Sequence, residues 1–226
     1  MEANYLNTAE GADILALPVG DLHIDTPLEE YGLNFCWPVK PLEGSGVRSE
    51  LRRAAKHPRQ GSALLKDDPD QTSIYRYESR VFPATLTDLL TRAEESWRRR
   101  SDQYVFAILD LSRPYVEGRP CGGRIAGIIG LRATSAPDFV GESGHVVVLP
   151  RAQRTHVMTN ALCLLLKYCF TPRTQGGLEL RRMEWIATAA NDASSAVPRR
   201  LGYACDGIRR WRGVVTNPRS ATQRKW

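Results

Sequence analysis

The spacing of apolar positions divides the chain into elements of different period. In "TLTDLLTRAEESWRRRS", Leu86, Leu89, Leu90, Ala93 and Trp97 recur at helical spacing, which predicts an amphipathic helix over residues 86–100. Thr85 with Asp88 three residues on reads as a variant capping box. "YVFAILD" (104–110) and "GRIAGIIGLRA" (123–133) are β-branched runs parted by the turn-rich "LSRPYVEGRPCG", a pattern that predicts an antiparallel hairpin with a long loop. Gly127 and Gly130 inside the second run predict a bulge or a close backbone approach. "ESGHVVVLP" (142–150) follows as a strand, and Arg151 to Phe170 as a helix apolar nearly all round, hence buried on most sides. "LRRMEWIATAA" (180–190) predicts a further strand, "NDASSAVPRRLG" (191–202) a short helix ending at Gly202, and "YACDGIRRWRGVV" a final strand or hairpin.

Residues 1–43 show little periodicity and carry Pro18, Pro27, Pro38 and Pro41, so they read as a loop-rich arm. Its bulky residues Tyr31, Leu33, Phe35 and Trp37 are the expected anchors. The chain is thus expected to comprise an arm (1–43), one domain (44–216) and a basic tail (217–226). "VRSELRRAAKHPRQGSALLK" has room for a first strand and a short helix. From the first clear helix the order is α, β, β, β, α, β, α, β, with antiparallel strands first and one β-α-β crossover. The expected class is α/β in the broad sense, an α+β mixed sheet flanked by helices. In that layout the helix after strand 142–149 starts at the sheet's edge with four free N–H groups and a positive dipole end, a ready anion site.

Composition narrows the function classes. At 226 residues and 42% hydrophobic, the chain suffices for one sizeable core. No run approaches the roughly 20 apolar residues that span a bilayer, and the acidic N-terminus lacks the basic start of a signal peptide. A soluble, cytoplasmic protein with no membrane partner is expected. The five cysteines are an odd number without CxxC spacing, and the four histidines form no HxxxH pair, which predicts reduced thiols and no metal site. The net charge of +6 is uneven: acids crowd the first forty residues, whereas Arg and Lys cluster at 48–59, 98–100, 199–212 and 219–225. Such clusters suit a polyanion, either nucleic acid or a phosphorylated cofactor, or are simply solvated faces. Nucleic acid is disfavoured, because the basic tail lacks interleaved aromatics and any RRM or KH motif.

A series of motifs in order carries a resemblance. Glu142-Ser143-Gly144-His145-Val146-Val147-Val148-Leu149-Pro150 and Gln153-Arg154-Thr155-His156-Val157-Met158-Thr159-Asn160-Ala161 match "E-x-G-h-x-h-x-P" followed by "Q-x-x-G-x-A/G-x-x-A". "RRMEW" (181–185), Asn191-Asp192-Ala193-Ser194 and "RRLGYACDG" (199–207) match "R-h-x-W/h", "N-x-x-S" and "h-G-F-x-x-E-G". Over residues 104–216 the chain resembles the GNAT superfamily of N-acetyltransferases, in particular the branch like the ribosomal-protein alanine N-acetyltransferases. The resemblance implies the GNAT fold and direct acetyl transfer from acetyl-CoA to an amine, on a protein N-terminus or a small molecule. It also implies that backbone N–H groups between Gln153 and Met158 hold the pyrophosphate, and that a backbone N–H of Val146, Val147 or Val148 steadies the oxyanion. Under the same resemblance Glu142 takes the amine's proton directly or through water, Ser194 donates to the departing thiolate, and Asn191 bonds the pantetheine or the adjacent backbone.

The residues leave alternatives open. Glu142 also reads as a solvated strand end, and Ser194 as the cap of its helix. Arg151 and Arg154 suit phosphate oxygens but equally suit an exposed loop. The family's glycine is replaced by His156 and its Ala/Gly by Met158; helical φ values there would tolerate both, and His156 reads as a helix-entrance residue rather than a catalyst. No cysteine stands in a motif with His and a carboxylate, which argues against an acyl-cysteine. Trp185 and Trp211 read as sheet residues or as acceptor-site lining. The short C-terminus and glycine-poor loop leave a second reading, a GNAT-fold CoA-binding or regulatory protein, and a third, another acyl-CoA reaction on the same fold. Monomer and homodimer are both compatible with the sequence.

Overall fold

The computed structural model describes residues 34–44, 46–50, 74, 76–77, 85–113 and 123–210. Six strands form one sheet in sequence order: β1 (Leu42–Gly44), β2 (Val47–Glu50), β3 (Tyr104–Asp110), β4 (Arg124–Ser135), β5 (Val140–Val148) and β6 (Arg182–Trp185). Neighbours are antiparallel except β5 and β6, which run parallel. Parallel strands need a long crossover, and α2 (His156–Phe170) supplies it. The mixed sheet, the 104–110/124–135 hairpin and the β-α-β crossover therefore match the reading of the sequence.

The two sheet faces bury different clusters. Phe106, Ile108, Ile129 and Leu131 pack with Val157, Ala161, Leu162, Leu165 and Cys169 of α2. Val105, Leu109, Ile125, Ile128 and Val147 pack on the other face with Leu89 of α1 (Leu86–Ala93). Strand residues normally alternate between faces. Ile125 and Ile128 share a face because Leu109 pairs with Ile125 and Ile108 with Gly127, leaving Ala126 as the extra residue of a bulge. Gly127 takes φ +158°, and a Cβ there would lie 2.1 Å from Val147 O; at Gly130 it would lie 2.2 Å from Tyr104 O. Both the bulge and the close approach predicted for these glycines are present.

The capping box of α1 is complete: Asp88 N–H donates to Thr85 Oγ1 at 3.1 Å and Thr85 N–H to Asp88 Oδ2 at 2.9 Å. The predicted helix over 86–100 is corrected in form, since α1 ends at Ala93 and continues as a π-helical turn, Glu94–Arg98. That turn buries Glu94, which pairs with Arg98 one turn on. Two arm anchors dock as expected: Trp37 is buried, and Phe35 meets Trp37 edge to face and Tyr104 at a tilt, at centroid distances of 5.6 and 5.3 Å. Tyr31 and Leu33 lie outside the described residues.

Three boundaries shift. The helix predicted from Arg151 begins at His156, after a short 3-10 turn (Pro150–Ala152), because Arg154 holds φ +57° and cannot continue a right-handed helix. The strand predicted over 180–190 is confined to Arg182–Trp185. The predicted final strand is absent over 203–210, its described part; after α3 (Asp192–Arg200) the chain runs on as an irregular segment, exposed there except at the half-buried Tyr203.

Candidate active site

The sheet forks between β5 and β6. Their pairing runs only from Val140 with Arg182 to Ser143 with Trp185. β6 stops at Trp185 while β5 continues to Val148, so beyond Ser143 the outer edge of β5 has no strand partner among the described residues. Apart from Val148 O, which a side chain of the following loop occupies, backbone groups on that edge have no strand to pair with and can meet an extended ligand. The inner edge carries a second bulge: Gly130 pairs with Gly144 and Ile128 with Val147, so His145 and Val146 together face Ile129. His145 sits at φ +52°, a conformation costly for a residue with a Cβ. Its ring meets Gln103 Oε1 at 2.9 Å and the edge of Trp97 at a centroid distance of 5.9 Å.

Two side-chain ties close the base of the fork. Ser143 Oγ lies 3.2 Å from Tyr203 OH, and Trp185 Nε1 donates to Ser194 Oγ at 3.2 Å. Asn191 Oδ1 accepts from Ser194 N–H at 3.1 Å, so Asn191, not Ser194, caps α3. Burial raises the Tyr203 pKa above that of an ordinary tyrosine, against an opposing effect of the Ser143 bond, and the phenol is protonated at neutral pH.

Glu142 is buried one residue before Ser143, and the pleat points the two to opposite faces. Arg132, its partner across β4, donates to Glu142 Oε1 from Nε at 2.6 Å and approaches it with Nη2 at 2.5 Å. A Cβ at Gly144 would lie 2.6 Å from the Arg132 side chain, so the glycine leaves room for the guanidinium to lie along the sheet. The solvated-strand-end alternative for Glu142 is excluded by this burial.

At the far end of β5 the chain turns into α2. Gln153 Nε2 donates to Val148 O at 3.0 Å and pins the loop to the strand. Thr155 is the N-cap: its Oγ1 accepts from Val157 N–H at 3.3 Å and donates to Ala152 O at 2.7 Å. His156, Val157 and Met158 open the helix, where first-turn N–H groups have no intrahelical acceptor. Arg154, Thr155 and His156 are exposed and Val157 is buried. The strained position is Arg154 rather than either predicted substitution, so the glycine-poor loop is accommodated by one left-handed arginine. Arg151 is turned toward the sheet, donating from Nη2 to Ile125 O at 2.6 Å, and burial lowers its pKa. His156 Nε2 lies 3.7 Å from Asp110 Oδ1.

Val146 to Val148 therefore lead from the fork to the helix entrance formed by Gln153 to Met158; Ser194, tied to Trp185, and Asn191, which caps the same helix, lie beside the fork's base, whereas Glu142 points to the face opposite Ser143. A narrow, amide-bearing arm ending in a diphosphate fits this path: strand-edge donors first, then a helix N-terminus. Arg132, Ser143 and Tyr203 were missed by the sequence reading. The signal that could have found Tyr203 is its place at the phenylalanine position of "h-G-F", where it adds a hydroxyl.

A family model described as an acetyltransferase (GNAT) domain matches residues 49–204, well over half of the chain. The chain belongs to the GNAT family of acetyltransferases. It is an acetyltransferase, and GNAT enzymes use acetyl-CoA as co-substrate. Among solved structures it is similar to a GCN5-related N-acetyltransferase from Brucella melitensis, with 25% identity, 83% of this chain and 78% of the other covered, and a TM-score of 0.65. The Salmonella typhimurium acetyl transferase that modifies the N-terminal serine of ribosomal protein L7/L12 shares the fold at 13% identity, with 79% and 92% coverage and a TM-score of 0.58. A spermidine N-acetyltransferase variant from Vibrio cholerae does so at 11% identity, with 73% and 83% coverage and a TM-score of 0.50. No curated protein matches the sequence significantly. Among the described residues there is no group of side chains fit to hold a metal ion, and no helix long and apolar enough to cross a membrane.

Proposed function

We propose that this GNAT domain transfers the acetyl group of acetyl-CoA directly to a primary amine, of a protein N-terminus or a small molecule, in the cytoplasm. The fork that opens beyond the Ser143–Trp185 rung carries the proposal, because it lies in line with the capped entrance of α2. When bound, the thioester supplies the activated acyl carbon; the nitrogen–acyl bond forms, the carbon–sulfur bond breaks, and the amine's proton leaves.

In this reading the β5 edge at Val146 to Val148 binds the pantetheine and acyl oxygen, and the first-turn N–H groups at Gln153 to Met158 bind the diphosphate. Asn191 acts through the helix it caps. Ser194 accepts from Trp185 and so keeps its own hydroxyl proton to donate. Tyr203, whose hydroxyl lies against Ser143, is a second candidate donor at the fork, and burial raises its pKa further. Glu142, oriented by Arg132, is the proton acceptor on the opposite face.

Release of thiol from acetyl-CoA over a panel of amines tests the reading. Ser194→Ala and Tyr203→Phe are each expected to lower kcat by about 100-fold with little change in KM, the low end for a proton donor. Full kcat in both variants would remove them from the reaction.

A further inference from the structure

The segment that follows α3 carries charge left unbalanced by its neighbours. Arg199 and Arg200 end the helix, and Arg209 and Arg210 close the described part of the irregular run; all four are exposed, and none has an ionic partner among the described residues. The one acid between Ala193 and Arg210 is Asp206, and Arg182 Nη2 donates to its Oδ2 at 2.6 Å. Arg199 and Arg200 complement the helix dipole, but Arg209 and Arg210 lie outside every helix and strand. Ala204 to Arg210 make no backbone hydrogen bond among the described residues, and Ile208 stands 74% exposed among them.

Two ties set the course of this segment. Tyr203 meets Ser143 at the last β5–β6 rung and Asp206 meets Arg182 at the first, so the chain runs back alongside β6 from the base of the fork. At about 3.3 Å per residue, that stretch of β6 spans about 10 Å. Arg199 and Arg200 precede its fork end, and Arg209 and Arg210 follow its far end.

We infer that residues 199–210 are the docking surface for the acceptor, and that the acceptor is a polypeptide whose N-terminal amine is followed, from about the third residue on, by acidic side chains. This rests on the transfer proposed above and narrows its acceptor. An extended chain with its amine at the fork leaves past the arginines. Its carboxylates meet guanidinium groups, its backbone meets the unpaired groups of 204–210, and an apolar side chain covers Ile208. A small polycation is repelled by this surface. Nucleic acid would need aromatic platforms for its bases, and 204–210 has none.

The test takes the full chain with a peptide bearing Asp and Glu at those positions, the same peptide with Lys there, spermidine, and a single-stranded RNA. Thiol release from acetyl-CoA gives KM and kcat for each amine, and fluorescence anisotropy of end-labelled peptides and RNA gives binding without turnover. At low ionic strength the acidic peptide should have a KM at least about tenfold below that of its lysine counterpart, a gap that closes as salt is added because the contacts are exposed. Arg209→Glu combined with Arg210→Glu, placed outside every element, should invert that preference with kcat little changed, and Arg200→Glu should act in the same direction. Equal KM values for the two peptides, or a lower KM for spermidine than for the acidic peptide, would overturn the inference. So would RNA that binds more tightly than the acidic peptide and is released by the same substitutions. Turnover of no amine, with salt-sensitive binding of the acidic peptide retained, would refute the proposed transfer while leaving the docking surface in place.

Discussion

Glu142 is where a structural and a chemical role are most easily confused, and Glu142→Gln separates them. Its side chain is 3% exposed and that of Arg132 36%, with both guanidinium contacts on Oε1. Breaking a fully buried pair costs about 3–5 kcal/mol by stranding the surviving charge. Solvent reaches Arg132 and an amide oxygen still accepts from it, so about 2 kcal/mol is expected here. With a urea m-value of about 2 kcal/mol per molar, the unfolding midpoint falls by ~1 M, and Tm falls by roughly 4–8 °C. Replacing both partners, as in Arg132→Met with Glu142→Leu, should recover most of the loss, since no charge is stranded. Urea unfolding followed by circular dichroism measures the wild type and both variants. A Glu142→Gln midpoint indistinguishable from wild type would refute the tie. Kinetics on the same preparations then isolate the chemistry. A proton acceptor loses about 100-fold or more in kcat when made amide, whereas a tie alone leaves kcat per folded molecule unchanged.

Two further outcomes follow from local geometry. Arg154 at φ +57° bears a strain that glycine lacks, so Arg154→Gly should stabilise the fold by up to about 1 kcal/mol; a lower urea midpoint would show that the arginine side chain contributes more than its backbone costs. Burial pushes the Cys169 thiol up to about 12 from 9.0 and the Tyr168 phenol up to about 12 from 10.0. Both groups fold neutral, so their stability is fully present below pH 9 and is lost from 9 through 12 for Cys169 and from 10 through 12 for Tyr168, at up to about 1.4 kcal/mol per unit and group. Urea midpoints should fall steeply over that window, and Cys169→Ala should flatten the part between pH 9 and 10; a flat wild-type profile would contradict it.

Much of this molecule was legible in its sequence where one local rule acted alone. Thr85 and Asp88 formed the capping box their spacing requires, and Gly127 and Gly130 marked the two places where strand backbones leave no room for a Cβ. The crossover helix was visible in its apolar run. What escaped depends on contacts remote in sequence. The length of β6 is set by the divergence from β5 after Trp185, which no periodicity in "LRRMEWIATAA" records. Arg132 and Glu142 are ten residues apart, and their pairing depends on a hairpin register that two bulges determine. Ser143 and Tyr203 are sixty apart. In the loop, substitution of the family's glycine drew attention to His156, which is helical, whereas the left-handed residue is Arg154; which position carries positive φ is a property of the turn, not of the residue missing from a motif.

The account rests on the diphosphate lying against the first turn of α2, and calorimetric titration of Thr155→Glu with acetyl-CoA tests that directly. A carboxylate at the N-cap keeps a hydrogen-bond acceptor for the helix but sets a like charge against the cofactor; at about 4 Å and an effective dielectric near 20 the repulsion is of order 4 kcal/mol. Affinity should therefore fall by at least about 100-fold, with Tm within a few degrees of wild type. Unchanged affinity in a folded Thr155→Glu protein would mean that the cofactor's diphosphate rests elsewhere.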